Sequence, residues 1–440
     1  MGSKLPLVVI LGATGSGKTK LSLEIAQKFG GEIISADSMQ IYKGLDIITA
    51  KVTKEEQLLA PHHLIDILEP EETFTVIEYR NRAKAIIDKL FSCNKVPIVV
   101  GGTNYYIESL LWNILVDDCG QNLKRKSSEI FSKEYDLSSR ELHNQLKQLD
   151  PEMAKRLHPN NRRKILRSLE VLYDKGRKLS DILNEQHSSE GGSKTSGGLR
   201  YPNSLILWLQ CEQKVLNTRL DNRVDEMVNE GLVDELLRFH RHFQNPDYTK
   251  GMFQSIGFKE FNSYLKLEEA QRSEEIGKKK LEEGIELLKL VTRRYAKKQI
   301  KWINNRFLGR TDRAVPPIYG LDTTNVSEWI ENVSTKASRI IDSYIEGSPC
   351  PYPALPKLET VSSPNVDDDT YNCEICDRIF IGQLQWNLHL KSNKHKKIKE
   401  KQKKMKNNEI LHETILTQAT AESHLQQREI EKLRKASDNR

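Results

Sequence analysis

The sequence predicts an α/β protein that combines a parallel sheet and flanking helices with a helical insertion and a C-terminal zinc finger. Apolar runs at Leu7–Leu11, Glu32–Ala36, Val96–Val100 and Ser204–Leu209 indicate buried strands. Helical stretches separate the first three runs, and this alternation favours parallel pairing with helices on both faces. Parallel sheets collect their chemistry at the carboxyl ends of the strands. The polar clusters that follow three of these runs therefore predict one shared site.

The first predicted strand runs directly into a phosphate-binding loop. Residues 12–19 (GATGSGKT) match the pattern G-x-x-x-x-G-K-[ST]. The glycines let backbone N–H groups turn toward a phosphate, Lys18 supplies positive charge, and Thr19 offers a hydroxyl to Mg²⁺. The following helix points its positive end at the same anion, as in a P-loop NTPase-like core. The loop alone does not identify the polyphosphate, and a glycine-rich turn without ligand is the alternative.

Composition narrows the class of protein. Of 440 residues, 37% are hydrophobic, and no apolar run approaches the ~20 residues of a membrane helix, so we expect no membrane association. The first strand begins at Leu7, which leaves no room for a signal peptide. Scattered cysteines favour a reducing compartment. The net charge is +7, and basic residues cluster at 162–167 and 391–406. Such clusters indicate contact with a nucleic acid or, alternatively, solvated helix faces.

Shifts in composition divide the chain into six segments. They are the first part of the catalytic core at 1–118, a helical insertion at 119–200, the second part of the core at 201–346, a linker rich in Pro, Ser and Asp at 347–370, a zinc finger at 371–400, and a charged helical tail at 401–440.

Two cysteines and two histidines beyond the linker have the spacing of a zinc site. The pattern is Cys373-x2-Cys376-x12-His389-x5-His395. Two thiolates and two imidazoles can close a tetrahedral Zn²⁺ site, and accidental spacing is the alternative. Four protein ligands leave no open position, so the zinc would be structural. We expect the apolar residues of the module at Tyr371, Phe380 and Leu388.

Residues outside the loop are further candidates for chemistry. Asp37 follows the second predicted strand, where its carboxylate either accepts a proton from a nucleophile or caps a helix beginning at Ser38. The segment Gly101–Thr103 follows the third strand and either brings a hydroxyl to a ligand or forms only a tight turn. Arg219 and Arg223 are four residues apart and share one helix face, where salt bridges to neighbouring acidic residues are the alternative.

Six motifs together closely resemble those of tRNA dimethylallyltransferases, also called tRNA isopentenyltransferases. In the family's order they are GATGSGKT at 12–19, DSMQIY at 37–42, PHH at 61–63, GGTNYY at 101–106, QSIGFKE at 254–260 and YAKKQ at 295–299. The resemblance covers roughly 5–306, and the appended zinc finger resembles the eukaryotic branch. One departure is Lys298, where many relatives have arginine; the charge is kept, but not the bidentate fork.

This resemblance implies a prenyl transfer. The donor would be dimethylallyl diphosphate, and the acceptor would be N6 of the adenosine immediately 3′ of the anticodon in tRNA, flipped out of its stack. Because the lone pair of that amine is delocalised into the ring, the family's catalytic aspartate, which Asp37 resembles, would accept its proton. Lys18, Arg223, the loop amides and Mg²⁺ on Thr19 would stabilise the leaving pyrophosphate. Thr103 matches a threonine that contacts the substrates.

The same resemblance supplies the expected binding residues. Those for the diphosphate are Gly12, Thr14, Gly15, Ser16, Gly17, Lys18, Thr19 and Arg223. Those for tRNA are Asp37, Ser38, Met39, Gln40, Thr103, Arg163, Lys164, Arg167, Gly257, Phe258, Lys259, Lys297, Lys298 and Gln299. The expected ions are a catalytic Mg²⁺ and a structural Zn²⁺. A monomer is expected, in the cytoplasm and nucleus, with a mitochondrial pool as a further option.

Two other functions are alternatives. An ATP-dependent kinase has the same loop, but it leaves the zinc finger and the basic clusters unexplained. A non-catalytic RNA-binding protein with a decayed loop is the other, and the intact Lys18, Thr19, Asp37 and Thr103 argue against it.

Overall fold

The computed structural model describes residues 5–113, 137–188, 197–243, 247–309, 313–357, 370–376, 378–381 and 383–405. It divides the chain into two compact units. The first comprises Met1–Asp118 and Ile182–Val361, and the second comprises Cys119–Asp181 and Ser362–Arg440. Residues 358–369 of the expected linker and the part of the charged tail after residue 405 lie outside the described residues.

A six-stranded parallel sheet forms the centre of the first unit. Its strands are β1 (Leu7–Gly12), β2 (Glu32–Ser35), β3 (His62–His63), β4 (Pro97–Val100), β5 (Ser204–Gln210) and β6 (Ile318–Asp322). They are ordered β3-β2-β4-β1-β5-β6. The four runs expected as strands form β1, β2, β4 and β5, and the predicted parallel α/β class is confirmed. The edge strands β3 and β6 were not predicted.

Helices cover both faces of this sheet and build the insertion. In chain order they are α1 (Lys18–Phe29), α2 (Lys54–Leu59), α3 (Val76–Ser92), α4 (Asn104–Leu111), α5 (Ser139–Leu149), α6 (Pro151–Arg156), α7 (Arg162–Lys175), α8 (Leu179–Ser188), α9 (Gln213–Asn229), α10 (Leu232–His242), α11 (Asn262–Leu265), α12 (Glu269–Ser273), α13 (Glu275–Ile303), α14 (Lys336–Glu346) and α15 (Gln383–Lys391). No helix in the described ranges is both long enough and apolar enough to cross a membrane.

Strand β1 is buried on both faces, which explains its unbroken apolar sequence. Successive side chains of a strand point to opposite faces. Val9 therefore packs in the cluster that contains Ile87 of α3, whereas Ile10 packs in the cluster that contains Ile25 of α1 and Ile340 of α14. The strand that leads into the phosphate-binding loop is consequently held between two cores.

A buried carboxylate fixes the end of α13 against α4. Glu108 of α4 is fully buried, with an oxygen 2.6 Å from Arg306 and 2.9 Å from Arg313. The Arg313 guanidinium also lies 3.7 Å from the centre of the Trp112 ring, within cation–π range. A buried charge is tolerated when it is paired and hydrogen-bonded. This cluster positions α13, which supplies side chains to the site described below.

The second unit contains the insertion helices α5 to α7 and the zinc finger. Asp150 is buried and caps α6, because its carboxylate accepts hydrogen bonds from the N–H groups of Met153 and Ser180, each 3.0 Å away. In the finger, β7 (Thr370–Cys373) pairs antiparallel with β8 (Arg378–Ile381), and α15 follows.

Of the three residues expected in the apolar core of the finger, Leu388 was predicted wrongly. Tyr371 stacks on Trp386 with ring centres 5.6 Å apart, and Phe380 stacks on His389 at 4.0 Å. Leu388, by contrast, is 56% exposed. Trp386 and His389 are three residues apart and share the inner face of α15, from which Leu388 is displaced.

Candidate active site

The phosphate-binding loop joins β1 to α1. Gly15 and Gly17 have φ angles of +77° and +91°, which residues with a Cβ adopt only at a cost. A Cβ on Gly17 would also lie 2.7 Å from the ring of Trp329. The buried Ser16 hydroxyl donates to the carbonyl of Ala13 at 2.8 Å, inside the loop. Glycine is thus required at residue 17 both by backbone conformation and by packing.

Lys18 crosses the loop and is held by its backbone. Its Nζ donates to the carbonyl of Ala13 at 2.8 Å and to that of Gly12 at 3.1 Å. Desolvation and, to a lesser extent, the nearby positive charge of Arg223 lower the pKa of this ammonium, while Asp37 opposes the shift, and the resulting pKa is about 8. An anion bound in the loop would restore the charged form.

Asp37 follows β2 and shapes the turn after it. Its Oδ1 accepts a hydrogen bond from the N–H of Met39 at 2.9 Å. Residues 38–40 form a turn rather than a helix, so Asp37 caps a turn and not the helix that was the alternative expected from the sequence. The second oxygen, Oδ2, lies 3.2 Å from the point where Gly102 would carry a Cβ. One oxygen therefore fixes the turn and the other is directed toward the segment after β4.

Thr103 ties the segment after β4 to the segment after β2. Its hydroxyl accepts from the N–H of Ser38 at 3.0 Å and donates to the Ser38 hydroxyl at 3.2 Å. Its own N–H donates to the carbonyl of Ala36 at 3.0 Å. Two of the expected site segments are thereby brought together at one edge of the sheet.

The side chains of α13 complete this edge. Tyr295 donates from its hydroxyl to the carbonyl of Gly102 at 3.2 Å, and Gln299 donates to the same carbonyl from Nε2 at 3.0 Å. Gln299 also accepts from the N–H of Thr14 at 2.8 Å. Burial is the main cause that raises the pKa of Tyr295, and the negative charge of Asp37 raises it further, so its hydroxyl stays protonated.

The two arginines of α9 have different surroundings. Arg223 donates to the Thr14 hydroxyl at 2.9 Å and faces the phosphate-binding loop. Arg219 instead donates to the carbonyl of Thr324 at 2.8 Å and to Cys211 Sγ at 3.4 Å. The structure thus places only Arg223 against the loop.

Two adjoining cavities meet at Asp37. The first, of about 320 Å³, is lined by loop residues including Lys18 and Thr19. The second, of about 330 Å³, has a more apolar wall that includes Leu220 and Ile256. The residues that line both are Thr14, Asp37, Thr49, Ala50, Arg223 and Tyr295. A molecule with a charged end and an apolar end fits such a pair of cavities.

Residues 38–40 divide between these cavities. Ser38 and Met39 line the second cavity, and Gln40 lines the first. The Gln40 amide is fully used inside the protein: Oε1 accepts from the Ser35 hydroxyl at 3.2 Å, and Nε2 donates to two backbone carbonyls of residues 49 and 50. Its observed contacts therefore brace the turn.

The residues expected to contact tRNA differ in exposure. Those with exposed side chains are Arg163, Lys164, Lys259, Lys297 and Lys298. Arg167 is half-buried and lies 3.3 Å from Glu170. Gly257 and Phe258 are buried, as is Gln299 at 3% exposure. The side chains of Phe258 and Gln299 are therefore not exposed to RNA at the protein surface, because Phe258 packs in an apolar cluster and Gln299 is hydrogen-bonded to Thr14 and Gly102.

His62 is a site residue to which the sequence analysis assigned no role. Its ring lines the first cavity, and Nδ1 lies 2.8 Å from the carbonyl of Ala60, so Nδ1 carries the proton. Burial lowers its pKa and favours this neutral form. Its Nε2 is buried without a partner among the described residues. The PHH motif at 61–63 was the sequence feature that could have identified His62 as a site residue.

The four predicted zinc ligands converge in the finger. Their ligand atoms all lie within 4.8 Å of one another. His395 Nδ1 is 3.1 Å from His389 Nε2 and 3.4 Å from Cys376 Sγ. Two thiolates and two imidazoles at these separations suit the tetrahedral coordination of Zn²⁺, with no position left for substrate.

Comparison with protein families gives three matches. A family model described as IPP transferase matches residues 40–306, and one described as isopentenyl transferase matches residues 5–67. A third, described as zinc-finger double-stranded RNA-binding, matches residues 370–396. The catalytic core and the finger are thus matched separately.

Relatives and a solved structure agree with these matches. The chain is 47% identical to a tRNA dimethylallyltransferase of Mus musculus, over 89% of this chain and 85% of the relative. It is 44% identical to one of Homo sapiens, over 96% and 91%. A solved structure described as a eukaryotic dimethylallyltransferase acting on tRNA aligns with a TM-score of 0.73 at 32% identity, covering 92% of this chain and 99% of that chain. The chain therefore belongs to the tRNA dimethylallyltransferase family of enzymes.

Proposed function

We propose that this enzyme transfers the dimethylallyl group of dimethylallyl diphosphate to N6 of the adenosine immediately 3′ of the anticodon in tRNA. The observation that carries the proposal is the position of Asp37, which lines both the phosphate-loop cavity and the adjoining, more apolar cavity. A donor spanning the two would place its reacting carbon beside this carboxylate. The names of the relatives support tRNA as the acceptor and a dimethylallyl group as the group transferred.

The leaving pyrophosphate is stabilised on the loop side. As the carbon–oxygen bond breaks, negative charge gathers on the diphosphate, and preorganised donors favour that charge most strongly in the transition state. Lys18 and Arg223 both face the first cavity and supply positive charge there. Thr19 lines the same cavity, and its hydroxyl, together with diphosphate oxygens, would supply the hard oxygen donors that suit Mg²⁺. Such an ion would add Lewis-acid stabilisation.

The acceptor amine loses its proton to Asp37. The N6 lone pair of adenine is delocalised, so a base that accepts the proton as the new bond forms assists the attack. Asp37 Oδ1 stays bonded to Met39, which leaves Oδ2 to accept this proton. Because the stacked base cannot reach a cavity, the nucleotide is flipped out, and Ser38 and Met39 line the cavity that receives it.

Exposed basic side chains on α7 and on α13 are the candidates for contact with tRNA phosphates. Arg163 and Lys164 are exposed on α7, and Lys297 and Lys298 on α13. Lysines and arginines of this kind bind phosphates and release counterions. The finger adds affinity for RNA, in agreement with its match to an RNA-binding zinc-finger family. We propose that it takes no part in the chemistry.

Label transfer tests the proposal directly. The protein is incubated with unmodified tRNA and either dimethylallyl diphosphate labelled in the prenyl group or ATP labelled in the γ-phosphate. We expect label in tRNA from the prenyl donor alone, and none when the target adenosine is replaced by guanosine. Label from ATP in a small product would instead indicate a kinase, and no transfer from either donor would indicate an RNA-binding protein without this activity.

Replacing the proposed base removes proton transfer but keeps the turn. In Asp37→Asn the amide oxygen can still accept from Met39, so we expect the fold and tRNA affinity to be retained while single-turnover rate falls by roughly 10²–10⁴. Quench-flow measurement with saturating substrates checks this. Asp234→Asn, at an exposed position of α10, is the matched control. A near-normal rate in Asp37→Asn would falsify the general-base role.

The lowered pKa of Lys18 predicts a pH dependence of donor use. Because the pKa of Lys18 in the free enzyme is about 8, its side chain is positively charged below that pH and loses its proton and its charge above it. We expect kcat/KM for the donor to fall by about tenfold per pH unit above about pH 8. In Lys18→Arg the guanidinium stays charged, so the activity is lower but the fall is absent. A flat wild-type profile between about pH 7 and 9.5 contradicts this prediction.

Disrupting the zinc site separates RNA affinity from chemistry. Cys373→Ser removes one of four ligands, and we expect KM for tRNA to rise while the single-turnover rate at saturating tRNA stays near wild type. Cys93→Ser, at an exposed cysteine of the other unit, controls for thiol loss. A collapse of the rate at saturating tRNA would place the finger in the catalytic assembly.

A further inference from the structure

We propose that Gln299 is a positioning residue that sets the distance between the phosphate-binding loop and the segment after β4, and thereby the affinity for the donor. This inference rests on the proposed function, because it assigns the donor diphosphate to the loop. It also gives Gln299 a role different from the tRNA contact expected of the YAKKQ motif.

The side chain of Gln299 bridges two segments that are far apart in sequence. Its Oε1 accepts from the N–H of Thr14 at 2.8 Å, and its Nε2 donates to the carbonyl of Gly102 at 3.0 Å. Its main-chain carbonyl accepts from Asn104 Nδ2 at 3.2 Å, at the start of α4. With 3% exposure, the residue makes these bonds away from solvent. It therefore connects two walls of the first cavity.

A primary amide carries side by side the acceptor and the donor that these two side-chain bonds need. An ionised carboxylate accepts but does not donate, and a thioether does neither well. The fit is also tight, because a Cβ on Gly102 would lie 2.6 Å from Gln299 Nε2. The spacing of the two segments is consequently matched to the length of this one side chain.

Both ends of the bridge touch groups of the proposed mechanism. Thr14 also accepts from Arg223 through its hydroxyl at 2.9 Å, and Gly102 adjoins Asp37 Oδ2. A loop already held in its binding shape loses less freedom when the diphosphate arrives, which increases affinity. The neighbours Lys297 and Lys298 are exposed on the same helix, so RNA contact from this motif falls to them.

The test compares the two substrates in Gln299→Met and Gln299→Glu. Loss of one or two buried hydrogen bonds is expected to raise KM for dimethylallyl diphosphate by about tenfold or more, with KM for tRNA within about twofold of wild type. Calorimetric titration with inorganic pyrophosphate should show the same loss of affinity without any catalysis. Circular dichroism melting confirms that each variant is folded.

Three further variants make the outcome decisive. Gly102→Ala places a methyl group against Nε2 and should reproduce the loss of pyrophosphate affinity even if a Gln299 variant fails to fold; only this affinity is compared, because the same methyl group also lies close to Asp37 Oδ2. Lys298→Ala should raise KM for tRNA alone, and Glu282→Gln, exposed on α13, should change neither constant. Unchanged pyrophosphate affinity in folded Gln299→Met, or a rise in KM for tRNA instead, overturns the inference. If wild type transfers no prenyl group, the proposed function fails, while the pyrophosphate titration still tests Gln299.

Discussion

Parallel pairing of β1 between β4 and β5 is the constraint on which the site depends. Ile10 pairs with Val100 and Gly12 pairs with Leu209, so these strands end at one edge of the sheet. The chain leaves β1 through the phosphate-binding loop and leaves β4 through Gly101–Thr103. The bond from Thr103 N–H to Ala36 brings the end of β2 to the same place. One edge therefore collects the loop, the carboxylate and the threonine hydroxyl.

The motif residues that line the first cavity differ in whether their polar groups are available to a ligand. Lys18, Thr19 and Arg223 are placed to meet charge on a ligand. Gln40 and Gln299 line the same cavity, but their amide groups are hydrogen-bonded to other atoms of the protein. Asp37 does both, since one oxygen fixes a turn and the other remains beside the cavities. Buried polar groups of this kind rigidify a site when they are satisfied.

The sequence predicted the elements whose signals are local. The strand–loop–helix unit at 7–29 follows from residue type and spacing, and the structure confirms it. The spacing of the two cysteines and two histidines likewise predicted that they would lie close together, as they do. The strand β3 is only two residues long, and β6 contains Gly320, so neither has a recognisable apolar run. These two strands were accordingly missed.

Contacts between distant segments could not be predicted. The motif at 295–299 contains both exposed lysines and the buried Gln299, and spacing alone does not say which face of α13 turns inward. Trp329 packs on Gly17 from more than three hundred residues away in sequence, and nothing in either segment indicates the pairing. Leu388 was wrongly expected among the core residues of the finger for a related reason. A short helix has several apolar residues, and the sequence does not say which of them face one small core.

The most direct test of the central claim is a crystal structure with a non-reactive thio-analogue of dimethylallyl diphosphate and an anticodon stem-loop. We expect both phosphorus atoms to lie within the loop at 12–19 and the first prenyl carbon to lie between the loop and Asp37 Oδ2. We also expect the target adenine to be unstacked, with N6 facing that carboxylate. A diphosphate bound away from the loop, or an adenine whose N6 does not approach Asp37, would contradict the proposed mechanism.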